Sequence, residues 1–547
     1  VALIIGRQLT IALENIKTFE REQRLTERLR FVARVTEKLF ATLDSQEMLA
    51  LLLNELLGDF ADYGVAATLA DDALKIVASA GTKAGFRDAA QGEIIASLRE
   101  RRSIINGSIS NVGPGRRIKG GPLAESDTPI SWVMVPLFVG DTIYGTILCC
   151  SNSHRYDPAE LELLEEIGRR ASLALEHAES FARERRLIQT LQQATLPTRL
   201  ATVEGAALSA VYRAAAIEVQ VGGDWYDAFD LDENRVLLTV GDVTGHGLEA
   251  SIVMGKLRHA INVAAMYEPD PVRILDAAER ILLRRYPGSV ATAFVAIFDA
   301  RDRSLTYANA GHPYPIVRAA DGSLPELQAD GLPIGLRSAA PSFSSARSVS
   351  LHDAALVAFY TDGLTEATRN IAAGERRLKE ALATEAVFYV TNAAEFIESF
   401  TLTEPSPDDV AILTLNFVKA QRWRFDSDDW SQARAARREL LEHLEARARS
   451  GSDVKAAELI LGELIANVAQ HAGGRLDVSL EWRAGNAVLH VVDRGAGFAP
   501  ASTGEADLLT EYGRGLWLIQ RLGAQLRVER LPGFGTHVEA KLPIEHV

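Results

Sequence analysis

Cysteine is scarce in this sequence of 547 residues, because Cys149 and Cys150 are the only two and they are adjacent. Neighbouring cysteines in a strand-like apolar run provide no disulfide framework of the kind that stabilises small secreted domains. No basic residue directly beside them would lower a thiol pKa, which favours buried, unreactive side chains over a thiol sensor. The pair therefore predicts a reducing, cytoplasmic setting.

Long apolar runs and an excess of positive charge are also missing. No stretch approaches the roughly 20 uncharged apolar residues of a membrane-spanning helix. The formal net charge of -15 argues against broad, nonspecific binding to nucleic acid or to an anionic membrane, since both require clustered Lys and Arg. The remaining composition, with 47% apolar and 24% charged residues, is ordinary for globular protein, and the length predicts three or four domains.

A sequence repeat marks two helical joints. Residues 5–25 and 167–187 align without gaps and are identical at 11 of 21 positions. Both copies place apolar residues three and four apart among Glu and Arg, which predicts an amphipathic helix that continues as a charged connecting helix. We interpret residues 1–25 as the terminal helix of a further sensor upstream. Near-heptad spacing through Phe181 and Ile188 predicts a coiled coil over 178–199, in a homodimer, whose helix ends before Pro197.

The segment between the two copies alternates helix and strand signals. Helical spacing covers 25–39 and 45–60, and strand patterns follow in 65–81. Gly140 and Asp141 lie between two apolar runs and predict a hairpin. This order resembles a GAF sensory domain over residues 26–177. The alternative is an α+β dimerisation module without a ligand, and the sequence names no ligand.

Four motifs centred on aspartate follow in order: "VGGDWYD", "GDVTGHG", "YTDGLTEA" and "PSPDDVAIL". They carry Asp224, Asp242, Asp362 and the pair Asp408 and Asp409. The apolar runs before Asp242 and Asp362 predict that these carboxylates lie at strand ends, where separate strands converge. Buried carboxylates repel one another unless cations neutralise them, and oxygen ligands without His or Cys favour Mg²⁺ or Mn²⁺ over Zn²⁺. One such motif is usually a capped turn, whereas four in this order predict a metal site.

Together with "LQQATLP" and "YANAGHPYP", these motifs resemble the bacterial branch of the metal-dependent serine/threonine phosphatases, the PPM type. The resemblance covers about residues 188–418 and predicts a domain over 200–418 with a β-sandwich flanked by helices. It implies two Mn²⁺ or Mg²⁺ ions, catalysis at Asp224 and Asp242, and no protein nucleophile. The implied metal ligands are Asp224, Asp242, the backbone carbonyl of Val243, Asp362 and Asp408.

Further positions in this region have less certain roles. Asp409 is the less favoured ligand of its pair, because the family places its metal carboxylate first. His246 is a candidate catalytic proton donor to the leaving oxygen, or it only holds its glycine-flanked loop. Asn309, Gly311 and His312 match a family motif of uncertain role near the site.

The C-terminal region begins with two predicted helices over 431–473 and continues with strands and glycine-rich loops. "ELIAN" places Glu463 and Asn467 four residues apart on one helix face. With "DRGAGF", "GRGLWLI" and "GFGTH", this region resembles the GHKL ATPase fold, an α/β sandwich also called the Bergerat fold, over 419–547. The resemblance implies ATP with Mg²⁺, in which Asn467 coordinates the ion, Asp493 binds adenine and Glu463 is the general base. Positions implied to approach the nucleotide are Gly495, Gly497, Gly513, Gly515, Gly533, Gly535 and Thr536.

Two kinds of kinase share this fold. A histidine kinase needs an acceptor histidine on a helix directly before the ATPase domain, and His177 lies far upstream without the family's usual following Pro. The short stretch between Gly497 and Gly513 looks closer to the anti-sigma-factor serine kinases, whose substrates are STAS-type anti-anti-sigma proteins.

We therefore expect a multidomain α+β signalling protein. It would join a GAF-like sensor, a helical connector, a PPM phosphatase and a serine kinase acting on one STAS-type phosphoprotein. One alternative is a silent catalytic domain used as a binding module, for example an ATPase fold that sequesters a sigma factor. Another is a ligand-gated scaffold without turnover.

Overall fold

The structure is a computed structural model. It describes residues 2–58, 60–70, 73–81, 100–101, 103–105, 131–215, 222–245, 247–337, 345–367, 370–495 and 518–546. For some helical residues, including 2–14 and 184–195, it describes the backbone alone. The chain divides into two compact units, Val1–Leu187 and Ile188–Val547, and each is described by itself. Within the described ranges, every helix is too short or too polar to cross a membrane.

The first unit is an antiparallel sheet packed with helices. Its strands lie in the order β2-β1-β5-β4-β3. Its elements along the chain are α1 (Ala2–Leu39), α2 (Ser45–Leu56), β1 (Tyr63–Ala70), β2 (Ala73–Ala80), β3 (Ile104–Ile105), β4 (Ser131–Val139), β5 (Thr142–Ser151) and α3 (Pro158–Thr195).

Local sequence explains where these elements begin and end. The side chain of Asp44 accepts the backbone N–H groups of Gln46 and Glu47 and caps α2. Gly140, with a φ of 56°, turns β4 into β5, as the hairpin prediction requires. Apolar residues of α2 and α3 pack against the sheet around Cys149. The predicted helices and strands of this segment are confirmed, and α3 ends two residues before Pro197.

The second unit begins with two antiparallel sheets packed face to face. Their strand orders are β12-β10-β9-β8-β7 and β11-β13-β14-β6. The strands of the first sheet are β7 (Trp225–Asp230), β8 (Arg235–Val243), β9 (Ala291–Asp299), β10 (Ser304–Ala310) and β12 (Arg347–Ser350). The strands of the second sheet are β6 (Ala207–Arg213), β11 (Ile316–Ala319), β13 (Ala354–Tyr360) and β14 (Val410–Asn416).

Helices cover the outer faces of this sandwich. α4 (Leu248–Tyr267) and α5 (Pro271–Arg285) pack on the first sheet. The second sheet is covered by α7 (Ile371–Ala383), a 3₁₀ turn (Glu385–Phe388) and α8 (Ala393–Thr401), after the single turn α6 (Gly363–Glu366). Side chains such as Phe294, Phe359 and Leu413 fill the space between the sheets. The predicted β-sandwich flanked by helices is therefore confirmed.

A third sheet, in the order β15-β16-β17-β19-β18, follows. Its elements are β15 (Gln421–Asp426), α9 (Trp430–Glu445), α10 (Val454–His471), β16 (Arg475–Arg483), β17 (Asn486–Asp493), β18 (Gln525–Leu531) and β19 (Gly535–Glu545). Both helices pack on one face of the sheet, as an α/β sandwich requires. Because neighbouring strand residues face opposite sides, Val491 lies in that core while Val492 packs toward the preceding sandwich.

Candidate metal centre and nucleotide site

Three aspartates meet at one edge of the sandwich. Asp224 precedes β7, Asp242 is the penultimate residue of β8, and Asp362 follows β13. Trp225 pairs with Gly241, so Asp224 and Asp242 come next to each other at the end of the ladder. One carboxylate oxygen from each of the three lies within 4.8 Å of the other two. The structure thus joins the carboxylates whose convergence the sequence predicts, and their role as metal ligands stays a prediction.

Two glycines let the backbone pass close to this cluster. A Cβ at Gly223 would overlap the carbonyl oxygen of Val243 and lie 2.8 Å from Oδ1 of Asp242. A Cβ at Gly222 would overlap the carboxylate of Asp409. The "GGD" stretch therefore needs both glycines for close approach, and it places the Val243 carbonyl, a predicted ligand, near the Asp242 carboxylate.

Burial and mutual repulsion disfavour ionisation of these carboxyl groups. Burial, followed by the charge of Asp242, raises the pKa of Asp224 well above its ordinary value. Burial and then the charges of Asp362 and Asp408 raise the pKa of Asp242 to about 7. Burial, with the charge of Asp408, also raises the pKa of Asp362.

The donor set fits a hard divalent cation. Oδ2 of Asp224 is buried and finds no hydrogen-bond partner among the residues that the structure describes. A buried oxygen without a partner costs free energy unless a donor or cation compensates it. A cation in contact with these oxygens would also relieve the repulsion that raises the three pKa values. Carboxylate and carbonyl oxygens are the ligands that Mg²⁺ and Mn²⁺ prefer.

Asp408 and Asp409 lie in different environments. Oδ1 of Asp409 accepts the backbone N–H of Ala215 at 2.9 Å, and burial is the main cause that raises its pKa to about 6. Asp408 accepts the backbone N–H of Asp409 at 2.8 Å. Among the described residues, the cluster within 4.8 Å includes neither of them. The preference for Asp408 over Asp409 as a ligand stays a prediction.

The motif around His312 joins β9, the strand beside Asp242, to β13, the strand that precedes Asp362. Buried His312 and Asn309 exchange two hydrogen bonds of 2.9 Å. Nε2 of His312 faces the carbonyl oxygen of Tyr360 at 3.2 Å, and Nδ1 faces the hydroxyl of Thr292 at 2.8 Å. Because a carbonyl only accepts, Nε2 carries the proton and Nδ1 accepts from Thr292.

This arrangement explains a motif to which the sequence assigns no role. Thr292 pairs with Asp242 across β8 and β9, and Tyr360 lies two residues before Asp362. His312 is therefore a brace between the strand ends next to Asp242 and Asp362. Burial lowers its pKa to about 3, which keeps the ring neutral. Gly311, with a φ of 72°, makes the turn that aims the ring, and a Cβ there would lie 2.8 Å from Cγ of Pro333.

A cavity of about 280 Å³ opens beside Asp362. Its walls come from the loop after β10 and from α6 and α7, with Tyr314, Glu366, Glu375 and Lys379 among the lining residues. Sequence patterns did not indicate it, because its residues come from separate segments without a shared motif.

The C-terminal sheet assembles part of the predicted nucleotide site. Glu463 and Asn467 are half-buried on one face of α10, while Leu464 and Val468 turn into the core. Oδ1 of buried Asp493 accepts the backbone N–H groups of Gly495 at 2.9 Å and of Thr536 at 3.2 Å.

Close packing brings the surrounding loops together. Burial raises the pKa of Asp493. A Cβ at Gly495 would lie 2.5 Å from Cβ of Ala472, the residue that ends α10, and one at Gly535 would overlap the carbonyl oxygen of Asp493. The end of β17, the end of α10 and the start of β19 therefore meet around Asp493. Gly533 makes the turn before β19 with a φ of 73°.

Four predicted site residues, His246, Gly497, Gly513 and Gly515, lie outside the described residues. Among the remaining predictions, His177 is exposed on α3, consistent with a surface histidine. Cys149 and Cys150 are fully buried. Burial raises the pKa of the Cys150 thiol to about 12 and raises that of Cys149 as well. The expectation that both cysteines are buried is therefore confirmed, and their lack of reactivity stays a prediction.

Three protein families match the chain in succession. The GAF domain family matches residues 42–176. The family described as Stage II sporulation protein E (SpoIIE) matches residues 232–418. The family described as histidine kinase-like ATPase domain matches residues 427–542.

Individual relatives match shorter stretches. Phosphoserine phosphatase RsbP of Bacillus subtilis (strain 168) is 26% identical over 154 residues, which are 27% of this chain and 38% of that protein. Phosphoserine phosphatase RsbU of the same organism is 27% identical over 148 residues, 27% of this chain and 43% of that protein. The chain thus spans less than half the length of these curated relatives. The solved RsbU and RsbW domains of Rv1364c from Mycobacterium tuberculosis share 24% identity, with a TM-score of 0.37, over 64% of this chain and 96% of that chain.

Proposed function

Because the chain is a multidomain α+β protein with a GAF domain, a SpoIIE-type PPM phosphatase domain and a histidine kinase-like ATPase domain in that order, we propose that it is a signal-regulated protein-serine/threonine phosphatase fused to a serine kinase. The observation that carries this proposal is the partly buried cluster of Asp224, Asp242 and Asp362 within the SpoIIE-type fold. The proposed domain boundaries are 26–177, 178–199, 200–418 and 419–547.

The phosphatase site would use its own carboxylates to hold two Mn²⁺ or Mg²⁺ ions. When bound, such ions supply an activated water as nucleophile and offset the charge on the transferring phosphoryl oxygens. Asp242 would contact both ions, with Asp224, Asp362, Asp408 and the Val243 carbonyl around them. The close approach of "GGD" and the His312 brace would hold these oxygens in place, so that the site changes little during turnover.

The ATPase domain would act as the opposing kinase. Asp493 would accept a hydrogen bond from the adenine amino group, Asn467 would contact Mg²⁺, and Glu463 would take the proton of the acceptor hydroxyl. The half-buried positions of Glu463 and Asn467 on one face of α10 support this assignment.

Opposed activities in one chain favour a single phosphoprotein substrate. We assign a STAS-type anti-anti-sigma protein to this role, because RsbP and RsbU are both phosphoserine phosphatases and the ATPase motifs resemble the anti-sigma-factor kinases. A sigma factor would then be a further partner of the ATPase domain. The GAF domain would regulate the phosphatase through α3, in a homodimer.

The experiment separates the two activities within the full chain. A panel of STAS-domain proteins from the same genome is incubated with ATP, Mn²⁺ and either the wild type, Asp242→Asn or Glu463→Ala. We expect phosphoserine to accumulate on one STAS protein with Asp242→Asn, to stay low with wild type, and to be absent with Glu463→Ala. Absence of phosphoserine with Asp242→Asn across the panel would contradict the kinase assignment. If wild-type protein added to the phosphorylated STAS protein did not remove the phosphoserine, the phosphatase assignment would be contradicted.

A further inference from the structure

One helix of the phosphatase domain, α8, is in contact with both catalytic regions of the second unit. Its residue Glu395 is mostly buried and receives three arginines of the ATPase domain: Arg424, Arg475 and Arg494. The Arg424 contact is 2.5 Å, and the other two are 2.9 Å. Burial opposes ionisation of Glu395, but the hydrogen bonds and charges of Arg424 and Arg494 hold its pKa below the ordinary value.

The arginine at 494 belongs to the nucleotide site itself. It lies between Asp493 and Gly495 in the sequence, and the backbone N–H of Gly495 donates to the Asp493 carboxylate. Its guanidinium also lies 5.4 Å from the ring centre of Phe534, one residue before Gly535. Phe534 in turn packs against Phe396 of α8, with ring centres 4.6 Å apart. An ion pair and an aromatic contact therefore fix both loops around Asp493 to α8.

The same side of α8 is also fixed to β6, the strand that leads toward the aspartate cluster, because residues three apart on a helix are neighbours. Buried Glu398 forms an ion pair with Arg213, the last residue of β6. The side chain of Asn392, which caps α8, donates to the carbonyl of Ala210 at 3.1 Å. Two residues after Arg213, the backbone N–H of Ala215 donates to Asp409. Glu395 and Glu398, three residues apart on the same helix, thus link Asp493 to the Asp408 and Asp409 corner.

We propose that Glu395 of the phosphatase domain is a positioning residue for the nucleotide site, and that through it nucleotide binding and phosphatase turnover are coupled. This inference rests on the proposed binding of ATP by the C-terminal domain. Because the Glu395–Arg494 ion pair supports the loop that carries Asp493, loss of the pair reduces the affinity for nucleotide. By linkage, a nucleotide that binds best when α8 holds this arrangement biases α8 in return.

The first test measures nucleotide affinity in the full chain. A fluorescent ADP analogue is titrated into wild type, Glu395→Gln, Arg494→Gln, the double variant and the control Glu545→Gln. The control removes the exposed Arg449–Glu545 pair, 3.0 Å long, at the far end of β19. We expect about tenfold weaker binding for each single variant, no further loss in the double variant, and wild-type affinity for the control. Arg494→Gln leaves the ion pairs of Glu395 with Arg424 and Arg475 in place. It therefore distinguishes the loss of support for the Asp493 loop from unfolding of the domain.

Wild-type affinity in both single variants would overturn the positioning role, and additive losses in the double variant would overturn the pairwise mechanism. No binding by wild type would overturn both this inference and the proposed ATP site.

The second test measures whether nucleotide binding changes phosphatase turnover. Hydrolysis of p-nitrophenyl phosphate with Mn²⁺ is followed with and without a non-hydrolysable ATP analogue. We expect at least about a twofold change in kcat for wild type and for Glu545→Gln, and no change for Glu395→Gln. An unresponsive wild type, or an equal response in Glu395→Gln, would overturn the coupling. Because neither test uses a STAS protein, an error in the proposed substrate leaves these results unaffected.

Discussion

The aspartates of the proposed metal centre are partly or fully buried and repel one another when ionised. Asp224 is 3% exposed, and one of its carboxylate oxygens has no hydrogen-bond partner within the described part of the chain. A cation bound as proposed would compensate this oxygen. The proposed metal site would therefore be costly to the folded state without a cation.

The first prediction concerns the response of stability to metal. Asp242→Asn should abolish the rise in melting temperature that Mn²⁺ is expected to give the wild type, because it removes the carboxylate proposed as a ligand of both ions. A bound ion at about 100 times its Kd stabilises the folded state by about 2.7 kcal/mol. Differential scanning fluorimetry with a Mn²⁺ series checks this, with Asp302→Asn at the far end of β9 and β10 as the control. An equal Mn²⁺ shift in Asp242→Asn would contradict the ligand assignment.

The second prediction concerns acid stability and His312. Its folded pKa of about 3 lies below the ordinary 6.5, so the unfolded chain takes up a proton that the folded chain refuses. The contribution of His312 is therefore present above pH 6.5 and lost as pH falls toward 3, by about 1.4 kcal/mol per pH unit. Urea titrations between about pH 4 and 6.5 should show a shallower pH dependence for His312→Gln than for wild type. The exposed control His352→Gln should match the wild type, and an unchanged slope in His312→Gln would refute the buried neutral ring.

For single residues, the sequence predicted the position of side chains that directly follow an apolar strand and precede a turn. It did not predict the role of side chains whose partners lie on other strands. Asp242 and Asp362 follow continuous apolar strands, so local pattern alone placed them at strand ends. His312 offered only a turn motif, because its partners Thr292 and Tyr360 come from other strands. The network around Glu395 had no local signal at all, since its three arginines lie at 424, 475 and 494.

Among the elements, α10 carries two groups with different proposed tasks. Its periodicity places Leu464 and Val468 in the core, which leaves Glu463 and Asn467 on a face that is only half-buried. Spacing in the sequence was sufficient to predict this, because the helical period decides it. The short 3₁₀ turn and α8 were not predicted individually, because their burial depends on the sheet and on the neighbouring domain.

The third prediction separates binding from transfer at the nucleotide site. Asp493→Ala should weaken nucleotide binding by about tenfold or more, since it removes the buried carboxylate proposed to accept a hydrogen bond from the adenine amino group. Glu463→Ala should retain binding but lose phosphoryl transfer to serine. Isothermal titration with an ATP analogue, beside a phosphoserine assay, distinguishes the two. Intact binding in Asp493→Ala together with lost binding in Glu463→Ala would reverse the assignment.

At the scale of the whole molecule, we expect the repeated helix to carry regulation from the GAF domain to the phosphatase domain. α3 runs without interruption from Pro158 to Thr195, and its buried residues Ala171, Ala174 and Ala178 belong to the core of the first unit. Helices that leave one domain and enter the next can transmit a rotation or register change within a dimer. Along α3 the structure describes side chains as far as Arg183, and it describes only the backbone at Ile188 and Leu191.

The fourth prediction tests that connector. Phe181→Asp with Ile188→Asp should weaken the proposed homodimer by about tenfold or more, because both charges would enter an apolar seam. Phosphatase turnover should shift while nucleotide binding is retained. Sedimentation velocity and p-nitrophenyl phosphate turnover check this, with the exposed Ser180→Asp as a charge control on the same helix. Unchanged mass together with unchanged turnover would remove the connector from the mechanism.

The order of domains was accessible from sequence because each domain carries its own local motifs, while the contacts between the phosphatase and ATPase domains depend on distant residues. The central claim is that the aspartate cluster makes this chain a metal-dependent phosphoserine phosphatase. The most direct measurement is phosphate release from a serine-phosphorylated STAS protein by the full chain with Mn²⁺. We predict steady release by wild type and by Asp302→Asn, and loss of release in Asp242→Asn or with chelator. Release that persists undiminished in Asp242→Asn or in chelator would contradict the claim.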